Sequence, residues 1–420
     1  MAMDPEQYRQ RRAARQQRLE RQNRRRRKTI IGLICAGVIV LLCAILIAVL
    51  AGRNADRGNA YDQTTASGTA PNTTAAVEDK TVIHLAAAGD LNVTEAVVAS
   101  GGADYNYTDT FIDVAHILAD ADVAMVNFEG NLYGTPYGTD FSAPQTLAQA
   151  LASAGVDLVQ LANSYSIYKG MEGLSSTISG IKLAGMEPLG AYATAAEAGK
   201  SKGYTIRTVQ GVKIAFVAFT KGMDGMALPA GNEGCVNVLY TDYSSEYQNV
   251  DTEGISAILD AAAKEKPDIT VALLHWGSEF NDTISATQEQ ICTLMQSKGV
   301  DAIIGTHSHY VQKMVYDEDA GTFVAYSLGD FLGDASRSGS EYSAILDLEI
   351  TKNNESGQTK ITGYSYTPIF TVNEEGRQLR VMRIDQAMKA YEDGYIDRIS
   401  ETSYEAMKYA LTRIEKRITG

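Results

Sequence analysis

Val271-Ala272-Leu273-Leu274-His275-Trp276-Gly277 and Ala302-Ile303-Ile304-Gly305-Thr306-His307-Ser308-His309 set the terms for the rest of this chain. Each is a short apolar run, with the composition of a buried strand, followed at once by histidine. The 420 residues include five histidines, and three of them fall within these 35 positions. In an α/β sheet, side chains just past the carboxyl ends of strands line the ligand crevice. A His-x-His pair presents two imidazoles from one loop, and imidazole is a donor that transition metals favour. One histidine so placed would be ordinary loop or core; three read as a metal site.

If they are, oxygen donors should end other strands. Ala86-Ala87-Ala88-Gly89-Asp90 closes on a carboxylate, and Val123-Ala124-Met125-Val126-Asn127-Phe128-Glu129-Gly130 on another. Leu158-Val159-Gln160-Leu161-Ala162-Asn163-Ser164 delivers an amide and a hydroxyl. Taken singly, Asp90 or Glu129 is a helix cap or turn residue, and Asn163 a strand-end turn. Five such endings in strand order make a mixed carboxylate–imidazole cluster, sized for one or two divalent ions. Paired ions ~3.5–4 Å apart activate water and clamp an in-line displacement at phosphorus. The imidazoles point to Mn, Fe or Zn over Ca.

Outward from the site, strands are expected at 81–88, 122–128, 156–162, 213–219, 268–274, 301–304, 322–327 and 344–350. Helices are expected at 108–119, 144–154, 171–184, 254–265 and 286–298. Ser285-Ala286-Thr287-Gln288 has a capping-box pattern, Gly299 offers a left-handed stop, and Pro144 and Gly155 bracket another helix. Alternating strands and helices argue for a layered α/β fold. Tyr404, Met407, Leu411, Ile414 and Ile418 predict an amphipathic helix over 402–418, capped at Thr402-Ser403-Tyr404-Glu405 and packed on its parent domain.

Charge divides the chain sharply. Residues 1–28 carry eleven Arg/Lys against three acids, +8 of a formal total of −14, so the remainder carries −22. Ile30–Ala51 holds no charge and, at ~1.5 Å per residue, is long enough as a helix for a bilayer core of ~30 Å. Arg24 to Lys28 abut it, which by the positive-inside rule keeps the N-terminus cytoplasmic and the main domain extracellular. A cleaved signal peptide would have a shorter apolar core. An Arg-rich nucleic-acid tail would not need this position, so no nucleic-acid partner is expected. Arg53 to Lys80, rich in Thr, Ala, Gly, Asn and Asp, reads as a tether. The expected domains are a basic tail (1–28), a transmembrane helix (29–52), a linker (53–80), the main domain (81–372) and a helical extension (373–420). Cys235 and Cys292, alone outside the span, carry no disulfide-framework signal, and their pairing stays open.

Gly89-Asp90, Asn127-Phe128-Glu129-Gly130, Leu274-His275-Trp276-Gly277-Ser278-Glu279-Phe280, Gly305-Thr306-His307-Ser308-His309-Tyr310-Val311-Gln312 and Tyr326-Ser327-Leu328-Gly329-Asp330-Phe331 resemble the CapA (capsule, poly-gamma-glutamate synthesis) family. The match runs in order through about 81–350. Tyr391-Glu392-Asp393-Gly394-Tyr395-Ile396-Asp397 is similar to the end of such proteins. The resemblance implies a layered α/β/β/α, calcineurin-like metallophosphatase fold, with metal held by Asp90, Glu129, His275, His307 and His309. It also implies a cleft shared by Asn163, Trp276, Glu279 and Asp330. The family's Asn-Asn-His loop is here Asn163-Ser164-Tyr165, with Tyr168 at a family Asp position. Ser164 is a weaker ligand than the asparagine it replaces. Tyr165, with a reference pKa near ~10, is a poor acid–base group at neutral pH where the family has histidine. Ser308 for Pro and Asp330 for Asn read as changes of loop shape.

The expectation is a membrane-anchored protein of capsule-polymer synthesis, export or tethering, with a polymer synthase complex and an anionic polymer as partners. The alternatives are a surface metal-dependent phosphoesterase and a catalytically silent binding relative. The sequence leaves catalysis open. A net −22 repels a polyanion, screened beyond ~8–10 Å, and no extended basic patch is visible in the sequence.

Overall fold

The computed structural model describes residues 79–374, 377–395 and 399–420. The basic tail, the 29–52 span and all but the last two linker residues lie outside them. Among the described residues, no helix is long and apolar enough to cross a membrane.

The strands begin with β1 (Lys80–Asn92), β2 (Val123–Glu129), β3 (Leu158–Gln160) and β4 (Glu187–Leu189). Next come β5 (Tyr204–Val209), β6 (Val212–Thr220), β7 (Ile269–His275), β8 (Ala302–Thr306), β9 (Met314–Asp317) and β10 (Thr322–Ala325). The last are β11 (Asp330–Leu332), β12 (Tyr342–Asn353), β13 (Thr359–Val372) and β14 (Arg380–Arg383). Between them run α1 (Glu95–Ala99), α2 (Ala115–Asp120), α3 (Gln145–Ala154), α4 (Gly170–Ala184) and α5 (Ala195–Ser201). Further on lie α6 (Thr252–Ala263), α7 (Ala286–Ser297), α8 (Ile384–Glu392) and α9 (Glu401–Thr419).

Two sheets result. One has the order β14-β13-β12-β1-β2-β3-β4, with β11 also on β1; the other is β5-β6-β7-β8-β10-β9. The period of two in each strand sorts its side chains between layers. In β1, Ile83, Leu85 and Ala87 face Val212, Ile214, Phe216, Val271 and Leu273 of the second sheet. Ala86 and Ala88 face the opposite way, into a core shared with Leu118 of α2, Leu147 and Leu151 of α3, and Ile178 of α4. In the second sheet, Phe219, Leu274 and Ile303 turn outward onto Ile255 and Leu259 of α6 and Ile291 and Met295 of α7. The layers are therefore helix, sheet, sheet, helix, as expected.

The parallel runs β1-β2-β3-β4 and β6-β7-β8-β10 aim their carboxyl ends at one rim. After β10 the chain crosses from the second sheet to β11 in the first through Tyr326–Gly329. Leu328 N–H donates to Gly305 O (3.1 Å) and Asp90 N–H to Gly329 O (3.0 Å), tying the crossover to the ends of β8 and β1. The approach at Gly89 is close enough that a Cβ there would lie 1.7 Å from the Gly329 carbonyl oxygen.

Several local expectations change. The 108–119 helix shortens to Ala115–Asp120, because Thr108 N–H and Oγ1 both donate to Asn106 Oδ1 (3.0 and 2.6 Å), a local alternative to helical pairing. The strand at 156–162 shortens to three residues. α9 starts one residue earlier than expected, with its cap two residues earlier, since Ser400, not Thr402, accepts the capping N–H, from Ser403. The box at Ser285 and Gln288 is present, and Gly155 is left-handed at the end of α3. Residues 373–420 contribute edge strand β14 as well as helices. Met407, Ala410, Ile414 and Ile418 of α9 bury themselves in the core between the sheets. Cys235 and Cys292 are buried free thiols.

Candidate metal centre

The rim gathers the strand-end donors. Asp90, Glu129 and His275 place ligand atoms within 4.8 Å of one another, and so do Asp90, His309 and Asp330. Asp90 belongs to both groups, and all five side chains are buried. His275 Nδ1 lies 3.4 Å from Glu129 Oε1 and 4.0 Å from Asp90 Oδ1. On the other side, His309 Nδ1 donates to Asp330 Oδ1 at 2.8 Å and sits 3.9 Å from Asp90 Oδ2.

His307 stands between them. Its ring centroid is 4.4 Å from that of His275, and both ring nitrogens are buried without a hydrogen-bond partner. Its backbone is left-handed, φ +86°, a conformation that costs a non-glycine residue of order 1 kcal/mol or more. The His307 N–H donating to Asp90 Oδ2 (2.8 Å) holds the turn there. His309 is left-handed as well, at φ +58°. The loop thus brings the His309 ring and the His307 N–H to one carboxylate, at the expense of backbone comfort.

Electrostatics describe a cluster short of positive charge. Burial first, then the neighbouring Asp90, pushes Glu129 well above the ordinary carboxyl range. Burial raises Asp330 to about 6, although His309 pulls the other way. Burial also holds His275 and His307 neutral, well below the usual imidazole value. For His309 burial acts downward too, but Asp330 and Asp90 outweigh it and lift the ring to about 9. A divalent cation would neutralise such a cluster. Three carboxylates, three imidazoles and two orphaned ring nitrogens on His307 fit a borderline divalent ion.

The remaining expected residues divide. Ser164 reaches the site, its Oγ 3.0 Å from His275 Nε2. Asn163 is a strut: its amide donates to Asn127 Oδ1 (3.1 Å) and Phe128 O (2.7 Å) and accepts Tyr165 N–H (3.1 Å). Glu279 is exposed and borders a cleft of about 210 Å³ shared with Tyr165, Phe280, His309, Asp330 and Arg337. Trp276 is not in the cleft. It is fully buried in the core under α6 and α7, donating Nε1–H to Tyr326 O (2.9 Å). Tyr165 lies over Phe141, ring centroids 3.7 Å apart, with Tyr168 edge-on to both. Burial, then Glu129 and Glu279, drives its phenol far above the usual range, so it stays protonated. Asp330, expected to shape a loop, instead faces His309 directly.

Two residues of the site escaped the sequence. Asn127 Nδ2 donates to Asp90 Oδ1 (2.6 Å) and Glu129 Oε1 (3.0 Å), holding the carboxylates in place. Its position two residues before Glu129, on the same strand face, was the available signal. Lys221, just past β6, donates to Gly277 O (2.9 Å), lies 4.8 Å from the Tyr247 ring centroid and borders a second cavity with Ser164 and His307. Burial lowers its pKa, partly offset by Glu279.

A family profile described as bacterial capsule synthesis protein PGA_cap matches residues 84–335, well over half the chain. The chain belongs to this family. Among relatives of the capsule synthesis family, the PGA biosynthesis protein CapA of Bacillus subtilis (strain 168) is 25% identical over 271 residues, 64% of this chain and 67% of that protein. The capsule biosynthesis protein CapA of Bacillus anthracis is 26% identical over 265 residues, 61% of this chain. The aligned part spans 60% of the anthracis protein's length. Among solved structures, calcineurin-like phosphoesterase YfkN from Bacillus subtilis aligns at 14% identity and TM-score 0.42, over 79% of this chain and 99% of that one.

Proposed function

We propose that this chain is a membrane-anchored, cell-surface protein of capsule-polymer synthesis, export or tethering, whose rim binds divalent metal of the Mn, Fe or Zn type. The observation that carries the metal reading is Asp90, one buried carboxylate shared by two three-residue ligand groups. Asp90, Glu129, His275, His307, His309 and Asp330 would hold the ion or ions. When bound, such ions supply Lewis acidity and an activated water.

The chain's own groups then define what the site can do. Asn127 orients Asp90 and Glu129, while Ser164 fixes the His275 ring through its Nε2. Glu279, Arg337 and Lys221 border the cavities where a ligand would lie. Proton transfer is the weak function. The phenol that lines the cleft beside His309 and Asp330, Tyr165, is held protonated and stacked, able to donate a hydrogen bond but not to cycle a proton near neutrality. The site therefore favours binding and positioning an anionic polymer over rapid phosphoester hydrolysis.

The test is metal content and melting temperature of the purified protein, with and without chelator. Bound metal stabilises the folded state by about 2.7 kcal/mol at a hundredfold excess over Kd. Equal melting in both conditions would remove the metal reading. Protease added to intact cells checks the anchor: cleavage beyond residue 53 with residues 1–28 spared is expected, and protection of the main domain would reverse the topology.

A further inference from the structure

Folding builds a basic cluster that is scattered in the sequence. Lys313, just before β9, meets Arg413, Lys416 and Arg417 of α9 around a cavity of about 280 Å³. One side-chain carboxylate lines it, Asp282, whose Oδ2 lies 3.1 Å from Arg417 Nε and 4.0 Å from Arg413, and Gly420 lines it as well. Neither Lys313 nor Lys416 pairs with a carboxylate among the described residues. Arg413 Nε is buried with no hydrogen-bond partner. Arg417 is fixed with 9% of its side chain exposed, over the rings of Tyr310 (4.5 Å) and Tyr342 (5.4 Å).

Cations in the last helical turn ordinarily answer the helix dipole, and Lys416 and Arg417 are so placed. That account does not reach Lys313, which comes from another element, or the unpartnered Arg413 Nε. The excess of positive charge stands on a protein whose formal net charge is −14. The cavity also adjoins the metal cleft. The loop after β7 turns Glu279 and Phe280 to the cleft and Asp282 and Ile284 to the basic cavity. Phe280 stacks on His309 (4.9 Å) and lies under the Arg337 guanidinium (4.1 Å). Tyr310, next to His309, stacks under Arg417.

We infer that Lys313, Arg413, Lys416 and Arg417 form a carboxylate-binding subsite for an acidic polymer whose adjoining units lie along the metal cleft. Arg337 on the cleft rim takes an intervening carboxylate. The inference rests on the reading of the chain as a capsule-polymer protein, but three of the four cations, Arg413, Lys416 and Arg417, lie beyond the 84–335 segment that carries the family match. An acidic polymer is favoured over an anionic lipid surface because the loop after β7 walls both the cavity and the cleft, Glu279 and Phe280 on one side and Asp282 and Ile284 on the other.

The test is a titration of the full-length chain with a fluorescent γ-linked oligoglutamate, read by anisotropy at low and high salt. Lys313 and Lys416 are exposed, so the double variant Lys313→Glu/Lys416→Glu should keep its melting temperature. It should bind the oligomer about tenfold or more weakly, with a flatter salt dependence. Lys313→Arg/Lys416→Arg should bind like the parent. His307→Ala should lose metal, whereas the charge-reversed variant should retain it, so that cluster and subsite are struck separately. Parent-like affinity in the charge-reversed variant would overturn the subsite, and loss only in His307→Ala would assign the polymer to the cleft. Preferential binding to phosphatidylglycerol vesicles, abolished by the same charge reversal, would overturn the polymer as occupant.

Discussion

The Asp90 cluster and the aromatic loop that faces it are built by opposite means. Around Asp90 every donor stands at a strand end or in a turn locked by backbone hydrogen bonds, so position comes from the sheets. Across the cleft, Asn163 to Tyr168 form a turn whose Tyr165 stacks on Phe141, with Tyr168 edge-on to both rings. The first region keeps every metal-donor type implied by the CapA resemblance; the second replaces an amide and an imidazole with a hydroxyl and a phenol. Ligand geometry is anchored in the fold, whereas proton transfer sits on a loop that can change without disturbing it.

The sharpest way to test that contrast is to convert the loop. Ser164→Asn with Tyr165→His should raise turnover on a generic phosphodiester by ~10²–10⁴-fold, the usual contribution of acid–base catalysis. Unchanged turnover at full metal loading would mean the handicap lies elsewhere; brisk turnover in the parent would make the loop irrelevant. Striking the other region, Asp90→Ala should weaken metal binding by more than about a hundredfold, because both ligand groups lose a member. Retention of metal by that variant would dissolve the shared-ligand picture.

A smaller effect follows from pH. Metal-free His309 is protonated below about 9, and Asp330 is ionised above about 6. Raised in the folded state, His309 favours folding of the metal-free chain at low pH, and that contribution fades as pH climbs through about 9. Metal must displace the same proton, so affinity should rise by up to about tenfold per pH unit between about 6 and 9. A flat profile by calorimetry would exclude His309 from the ligand set. Least of all, Tyr165→Phe should leave metal content unchanged and shift stability by no more than about 0.5 kcal/mol. Its hydroxyl makes no hydrogen bond among the described residues, and a large loss of stability would give the phenol a part it lacks here.

What the sequence disclosed followed from periodicity. Asp90, Glu129, His275, His307 and His309 were legible because each closes or follows a strand of recognisable composition. Trp276 was misplaced because it adjoins His275 in the chain, while alternation along an extended backbone sends the two side chains to opposite layers. Asp330 looked like a loop residue because β11 is three residues long and its partner His309 lies 21 positions earlier, a pairing only tertiary structure creates. The basic cavity was invisible for the same reason, since Lys313 and Arg413 are a hundred positions apart. The layered fold was legible, but β13 and edge strand β14 were not, because such half-buried strands carry little apolar alternation.

The crossover at Tyr326–Gly329 bears on how the molecule comes apart. It leaves one sheet, touches the ends of β8 and β1, and enters the other within five residues. Neither sheet can peel away without first breaking the strand ends that carry the metal donors. Opening should be all-or-none across both layers, with amides of β1 and β8 exchanging at a single slow rate set by global unfolding. Cation occupancy would then slow exchange throughout the sandwich, far from the ligands themselves.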